Sequence, residues 1–407
     1  MKCGLLGRKL GHSYSPQIHA MMGDYSYSLF EKEPEEVADF VLHGDYDAMN
    51  VTIPYKKDVI PYLDEVDPVA RRLGSVNTVV RRDGKIYGYN TDYYGFHAMV
   101  LRSGIDVAGK KTLVLGTGGT SVTAQAVLAD LGARVVVISR SGENNYNNLS
   151  LHYDAKVIVN TTPVGMYPNT GTAPLEIEHF PALEGVLDVI YNPSRTQLLL
   201  DAENLYLPNE NGLWMLVAQA KLASEHFTGK SLPDSIIGEI HRKLKNQMEN
   251  IVLIGMPGCG KSTVGRLLAD KCGKGFVDAD ETVAELAGKD IPSIFAQDGE
   301  EVFREWETKA LIRLGKQSGL VIATGGGCVT QLRNYPFLHE NSTIVWLQRD
   351  LGKLPTDGRP LSRSGSLEAM FRARKPLYRA FADITVDNNA APETTVQAIL
   401  NALEEQT

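Results

Sequence analysis

The apolar run Ile251–Ile254, followed at once by Gly255-Met256-Pro257-Gly258-Cys259-Gly260-Lys261-Ser262, constrains this chain more than any other stretch. These residues fit the spacing GxxxxGK[ST], and helical periodicity begins behind them, so the segment reads as strand, loop, helix. In that setting backbone amides cradle phosphates, a lysine reaches the outer ones and a hydroxyl ligates magnesium. Gly258, Gly260, Lys261, Ser262 and Thr263 are the candidate contacts to a nucleoside triphosphate, with Ser262 also on Mg2+. Nothing nearby marks Cys259 as a catalytic thiol, and it reads as a small filler. The motif specifies phosphoryl transfer or hydrolysis and leaves the acceptor open.

The motif begins just after a polar stretch, HRKLKNQMEN, in which Met248 reads as a fresh start. The chain has 407 residues; at about 100–200 residues per domain it divides into two or three domains, grouped in parts spanning about 1–245 and 249–407. Both parts are mildly acidic, with 23 basic against 28 acidic residues before Met248 and 18 against 21 from there on. A nucleic-acid partner needs a clustered cationic face, so none is expected. No apolar run reaches the roughly 18–20 residues of a membrane span, and the N-terminus lacks a secretory pattern. Cys3, Cys259, Cys272 and Cys328 stand far apart with no CxxC pair. That spacing argues against disulfides or structural zinc and fits a cytoplasmic protein. The oligomeric state stays open.

In the first part, Cys3–Leu6 and Met49–Ile53 read as strands, and Ser15 as the cap of a helix opened by Pro16. Val76–Val80 and Lys85–Tyr87 read as a hairpin turned at Asp83-Gly84. Tyr94–Arg102 and Gly212–Phe227 read as helices. From Thr112 the pattern becomes strand, glycine-rich turn, helix, strand. Gly116-Thr117-Gly118-Gly119 lets the backbone approach a pyrophosphate at a helix N-terminus, although Ser121 stands where the usual fingerprint ends in glycine. An ordinary tight turn would need the same glycines. After the next strand come Ser139-Arg140-Ser141, where an NAD enzyme commonly has a carboxylate for the ribose hydroxyl. A guanidinium beside hydroxyls suits a 2′-phosphate, so NADP(H) is read over NAD. Three further polar clusters, Ser13-Tyr14-Ser15-Pro16, Asn50–Lys56 and Gly88–Asp92, offer an anion site, a lysine and a carboxylate. Spacing alone does not bring Lys56 and Asp92 together.

The ordered strings HSYSP, NVTIPYKK, GSVNT, YNTD, GTGGTS, NTTPVGM, DVIYNP and GLWMLVAQA resemble shikimate dehydrogenases over about residues 1–245. The resemblance implies an α/β substrate domain (about 1–102 and 230–245) and a Rossmann NADP domain (about 103–229). It implies that Ser13 and Ser15 hold the substrate carboxylate, and that Thr52, Asn77, Asp92 and Gln219 take the ring hydroxyls. It also implies that Lys56 and Asp92 form the catalytic pair, that Tyr191 and Gly212 lie near nicotinamide and substrate, and that Gly116, Gly118, Gly119, Thr120, Ser139, Arg140, Asn160 and Thr161 lie near the cofactor. Departures are Ser139 in place of a usual Asn, Phe227 in place of a usual Trp, and a short chain for the family.

In the second part, Asp278-Ala279-Asp280 follows a strand and Gly325-Gly326-Gly327 follows another. Alternation points the two carboxylates the same way, one toward metal and one toward an acceptor hydroxyl. With GEEVFREWE, LPTDGRPLS and RARKPLYRAFA, these strings resemble shikimate kinases over about residues 249–407. That resemblance implies a P-loop domain with a parallel sheet that uses ATP. It implies shikimate contacts from Asp280, Arg304, Gly325, Gly326, Gly327 and Arg374, and Mg2+ contacts from Ser262 and Asp278. Arg359, in a lid at Leu351–Ser366, would act with Lys261 on the transferred phosphoryl group. The chain thus reads as an α/β enzyme of two consecutive steps, reduction of 3-dehydroshikimate and phosphorylation of shikimate. Two alternatives stand beside it: a ligand sensor built from inactive domains, and quinate or NAD specificity in the first part.

Overall fold

A computed structural model describes residues 1–11, 13–354 and 367–405. The chain divides into two compact units, Met1–Gly165 with Thr172–Tyr191 and Leu198–Lys243, and Leu244–Thr407 with the short segments Met166–Gly171 and Asn192–Gln197.

The first unit holds two sheets. One contains β1 (Lys2–Gly7), β2 (Ser26–Glu31), β3 (Ala48–Val51), β4 (Glu65–Val66), β5 (Thr78–Arg82) and β6 (Lys85–Tyr89), in the order β2-β1-β3-β5-β6-β4. It is mixed rather than wholly parallel. The hairpin puts β5 antiparallel to both β3 and β6, while β1 pairs in parallel with β2 and β3. Asp83 and Gly84 both take positive φ, as a two-residue primed turn requires. The helix Leu213–Thr228 packs on β3 and β5 and against the helix Asp92–Ser103.

The other sheet is all parallel: β7 (Lys111–Leu115), β8 (Arg134–Ile138), β9 (Val157–Asn160), β10 (Gly185–Asp188) and β11 (Asn209–Glu210), ordered β11-β10-β9-β7-β8. The middle residues of β7, β9 and β10 are apolar and buried because both faces of the sheet are covered there. Val114, Val157, Val159 and Leu187 enter one core, and Leu113, Leu115, Ile158 and Val186 the other. The chain leaves β7 for the edge strand β8 on one side, then crosses to β9 on the other. A crevice therefore opens at the carboxyl ends of β7 and β9, where such sheets take ligands.

The second unit repeats this logic with β12 (Asn250–Ile254), β13 (Gly275–Asp278), β14 (Leu320–Ala323), β15 (Ser342–Gln348) and β16 (Ile384–Asp387), ordered β13-β14-β12-β15-β16 and all parallel. Central β12 is buried end to end. Among the described residues no helix is long and apolar enough to cross a membrane.

Candidate functional sites

Lys56 and Asp92, unpaired by spacing, meet in the first unit: Lys56 Nζ donates to Asp92 Oδ2 at 2.6 Å. Lys56 follows β3 through a turn containing cis Pro54, and Asp92 opens the helix Asp92–Ser103. Both side chains keep a little exposure on one side, as a pair that meets a substrate needs. Behind them lies a buried polar network. The Thr91 backbone N–H donates to Asn77 Oδ1 at 2.7 Å, and Asn77 Nδ2 donates to Thr91 Oγ1 at 3.0 Å. Thr91 Oγ1 also reaches Gln219 Oε1 at 3.4 Å. Asn77 and Gln219 come from β5's edge and a distant helix, so Thr91 holds two candidate hydroxyl contacts in register. Thr52 donates its backbone N–H to Leu6 O at 2.9 Å, which fixes it at the end of β1 and β3.

Ser13 and Ser15 sit together, the Ser15 N–H donating to Ser13 Oγ at 3.2 Å. Ser15 does not cap the helix: it is the first helical residue, and Tyr14 occupies the cap position without a capping bond from its own side chain. The Ser15 hydroxyl is thus not spent on capping. Tyr14 places its ring edge-on to Tyr191 at 6.2 Å, and burial raises the Tyr191 phenol, with Tyr14 adding to the shift.

At the crevice of the parallel sheet, Gly116 has φ 105°, and a Cβ there would lie 3.0 Å from Thr162 and 3.1 Å from Thr161. Gly118 and Gly119, by contrast, face open space at the start of the helix Gly119–Asp130, with Thr120 next on it. Ser121, the odd member of the fingerprint, is buried and donates its hydroxyl to Gly116 O at 2.7 Å, tying the turn to the helix. These residues leave a cradle that fits a dinucleotide pyrophosphate. Arg140 is exposed just past β8, and Ser139 Oγ accepts the Gly142 N–H at 2.8 Å. Asn160 is fully buried, bonded to Asp188 Oδ1 at 3.1 Å and accepting from Thr162 Oγ1 at 2.7 Å. The Thr161 hydroxyl donates to Leu115 O at 2.6 Å. Both side chains are committed to shaping the loop. Gly212 admits no side chain, since a Cβ would fall 2.0 Å from Val189 O.

In the second unit the phosphate loop joins β12 to the helix Lys261–Cys272, with Gly255, Gly258 and Gly260 at positive φ. Lys261 is buried and donates to Gly255 O at 2.9 Å and Met256 O at 3.1 Å. Ser262 Oγ donates to Asp278 Oδ2 at 2.8 Å, a hydroxyl beside a carboxylate that fits a magnesium ion completed by water and phosphate oxygens. Thr263 follows on the first helical turn. Asp278 also caps the helix Ala279–Ala287 by accepting the Asp280 N–H at 3.1 Å.

A cavity of about 590 Å³ runs from Lys261 and Ser262 past Asp278 and Asp280 to Arg304, Gly325–Gly327 and Arg374. Arg374 donates to Gly326 O at 3.0 Å, and Tyr378 Oη to the same oxygen. A Cβ at Gly327 would lie 2.4 Å from Arg304 Nη2, so glycine there is what admits the guanidinium. Arg304 donates to Glu307 Oε2 at 2.8 Å and to Glu300 Oε1 at 2.9 Å. Arg359 falls in 355–366, outside the described residues, as does most of the expected lid.

Sequence reading overlooked Glu307, although its spacing from Arg304 within one helix was a usable signal. Its Oε1 is buried, faces Gly325 and has no hydrogen-bond partner among the described residues. Burial raises its carboxyl, Arg304 opposes that, and the nearby Asp280 charge adds to it. Thr91 and Tyr378 were also missed, since neither hydroxyl stands out without its long-range partner. Burial pushes the Cys328 thiol up to about 12, so it stays protonated.

The fold and sites define a dinucleotide-linked oxidoreductase unit joined to a P-loop phosphoryl-transfer unit. Family models for the "Shikimate dehydrogenase substrate binding domain" and "Shikimate kinase" match residues 5–79 and 257–404. The chain is 36% identical over 264 residues to shikimate dehydrogenase (NADP(+)) of Clostridium perfringens, an alignment covering 60% of this chain and 97% of that protein. Shikimate dehydrogenase 1 of Peptoclostridium difficile is 37% identical over 60% of this chain and 98% of its own, with TM-score 0.55. A chorismate mutase/shikimate 5-dehydrogenase fusion protein of Clostridium acetobutylicum is 34% identical over 60% and 96%, with TM-score 0.57. The chain belongs to the shikimate dehydrogenase family and carries a shikimate kinase domain at its C-terminal side, making it a bifunctional shikimate-pathway enzyme.

Proposed function

We propose that the first unit reduces 3-dehydroshikimate to shikimate with NADPH and that the second phosphorylates shikimate at the expense of ATP. The observation that carries this reading is a juxtaposition in each unit: Lys56 on Asp92 at 2.6 Å, and Lys261 and Ser262–Asp278 in one cavity with Arg304 and Arg374. NADPH supplies a hydride when bound. Lys56 Nζ, oriented by its hydrogen bond to Asp92, gives a proton to the oxygen that gains charge as the carbonyl is reduced. Ser13 and Ser15 take the carboxylate, and Asn77, Thr52 and Gln219 the ring hydroxyls. Gly118, Gly119 and Thr120 receive the pyrophosphate, and Arg140 the 2′-phosphate. Asn160 and Thr161 serve by shaping the loop beside it.

In the second unit Asp280 orients the attacking hydroxyl, while Arg304 and Arg374 hold the carboxylate across Gly325–Gly327. Ser262 and Asp278 hold Mg2+, and Lys261 turns from its two carbonyls to the phosphates. The resemblance to shikimate kinases assigns Arg359 to the transferred group. The two readings support each other because the product of one reaction is the acceptor of the other. The test mixes the chain with 3-dehydroshikimate, NADPH and MgATP, following NADPH absorbance and ADP together. ADP release that requires prior NADPH oxidation is the expected result; oxidation without ADP would remove the second activity, and binding without either turnover would favour a sensor.

A further inference from the structure

Three arginines, Arg304, Arg349 and Arg374, line the cavity of the second unit and differ in their surroundings: Arg374 donates to Gly326 O at 3.0 Å. Arg304 is paired with two carboxylates. Arg349, one residue beyond β15, has no ion-pair partner among the described residues, and its Nε is buried without a hydrogen bond. It lines the cavity with Lys261 and Ser262, and its Nη1 lies 3.4 Å from where Gly260 would carry a Cβ. Asn388 Nδ2, just past β16, lies 3.1 Å from the same point and donates to Cys259 O. A guanidinium stripped of water on one side without a counter-charge costs stability. That cost is recovered when an anion arrives.

Sheet order says which anion. In β13-β14-β12-β15-β16 the phosphate loop leaves the central strand. Asp278, Asp280 and Gly325–Gly327 follow β13 and β14, on one side of it. Arg349 and Asn388 follow β15 and β16, on the other. A phosphoryl group in transfer must face the acceptor side, so the phosphates that stay with the nucleoside extend toward β15. We propose that Arg349 binds these non-transferred phosphates, donating from the β15 side while the loop amides hold them from below. This rests on reading the second unit as a nucleotide-dependent kinase.

The test is calorimetric titration of the full chain, its Arg349→Gln and its Arg349→Lys variants with MgADP and with inorganic tripolyphosphate, folding being checked by circular dichroism. A charge-assisted hydrogen bond is worth about 1.5–3 kcal/mol. Arg349→Gln should therefore weaken both probes roughly ten- to a hundred-fold, with Arg349→Lys in between because it keeps the charge and loses the fork. Unchanged ADP affinity in Arg349→Gln would overturn the proposal. Weakened ADP with unchanged tripolyphosphate would overturn it too, by placing the guanidinium on the base. If the unaltered chain binds neither probe, the kinase reading itself falls and takes the proposal with it.

Discussion

Glu307 offers the sharpest test of how the second site is assembled. Its side chain is 1% exposed and that of Arg304 is 7% exposed, so water does little to screen their 2.8 Å bond. Glu307→Gln keeps the shape and removes the charge. Arg304 then retains only Glu300, whose side chain is 52% exposed and holds it weakly. Losing a hydrogen bond to a charged group costs about 1.5–3 kcal/mol, below the roughly 3–5 kcal/mol of deleting one partner of a buried pair. The expected result is a roughly ten- to hundred-fold fall in kcat/KM for shikimate, read by ADP release, with NADPH oxidation as the measure of intact chain. The variant should also change a pH dependence. Because burial raises the folded-state pKa of Glu307 above its unfolded value, the folded chain binds this proton more readily. Its contribution to stability therefore declines as pH rises from the ordinary glutamate range through the raised value. Over the same window acid should discharge the carboxylate and loosen Arg304, so the wild-type kcat/KM falls toward acid and the variant's falls less. A variant with unchanged kcat/KM and an unchanged acid limb would refute the argument that Glu307 positions Arg304.

Lys56→Ala and Asp92→Asn should each lower NADPH oxidation by about 10²–10⁴-fold, the usual worth of a positioned proton donor, while ADP release from added shikimate continues. Steady-state rates of the two half-assays check this. Arg140→Asp should weaken NADPH far more than NADH, reversing the preference in a side-by-side KM comparison, because a carboxylate repels the 2′-phosphate and suits a ribose hydroxyl. Gly327→Ala places a methyl 2.4 Å from Arg304 Nη2 and should raise the KM for shikimate while leaving that for ATP near its starting value. Initial-rate kinetics with each substrate varied in turn decide it.

The parts of both sites that depend on local backbone were legible in the chain. Gly116–Gly119 and Gly255–Ser262 announce themselves because a phosphate cradle is a few consecutive residues at a strand-to-helix turn, and Asp83-Gly84 announces its hairpin for the same reason. The parts that failed were cooperative. Ser15 looked like a cap, yet the helix begins on it. Asn160, implied to lie in the loop beside the cofactor, has its side chain bonded to Asp188 and Thr162, which no local pattern reveals.

Sequence by itself thus determined two phosphate-binding turns, a joint between two sets of motifs, and the residue types of each reaction. Only the tertiary structure decided which of them meet. Lys56 pairs with Asp92 because the turn after β3 meets the start of the helix after β6, and Arg349 reaches Gly260 because β15 lies beside β12. Such pairings follow from strand order and from which charges burial leaves with a partner, and residues far apart along the chain carry no local trace of either.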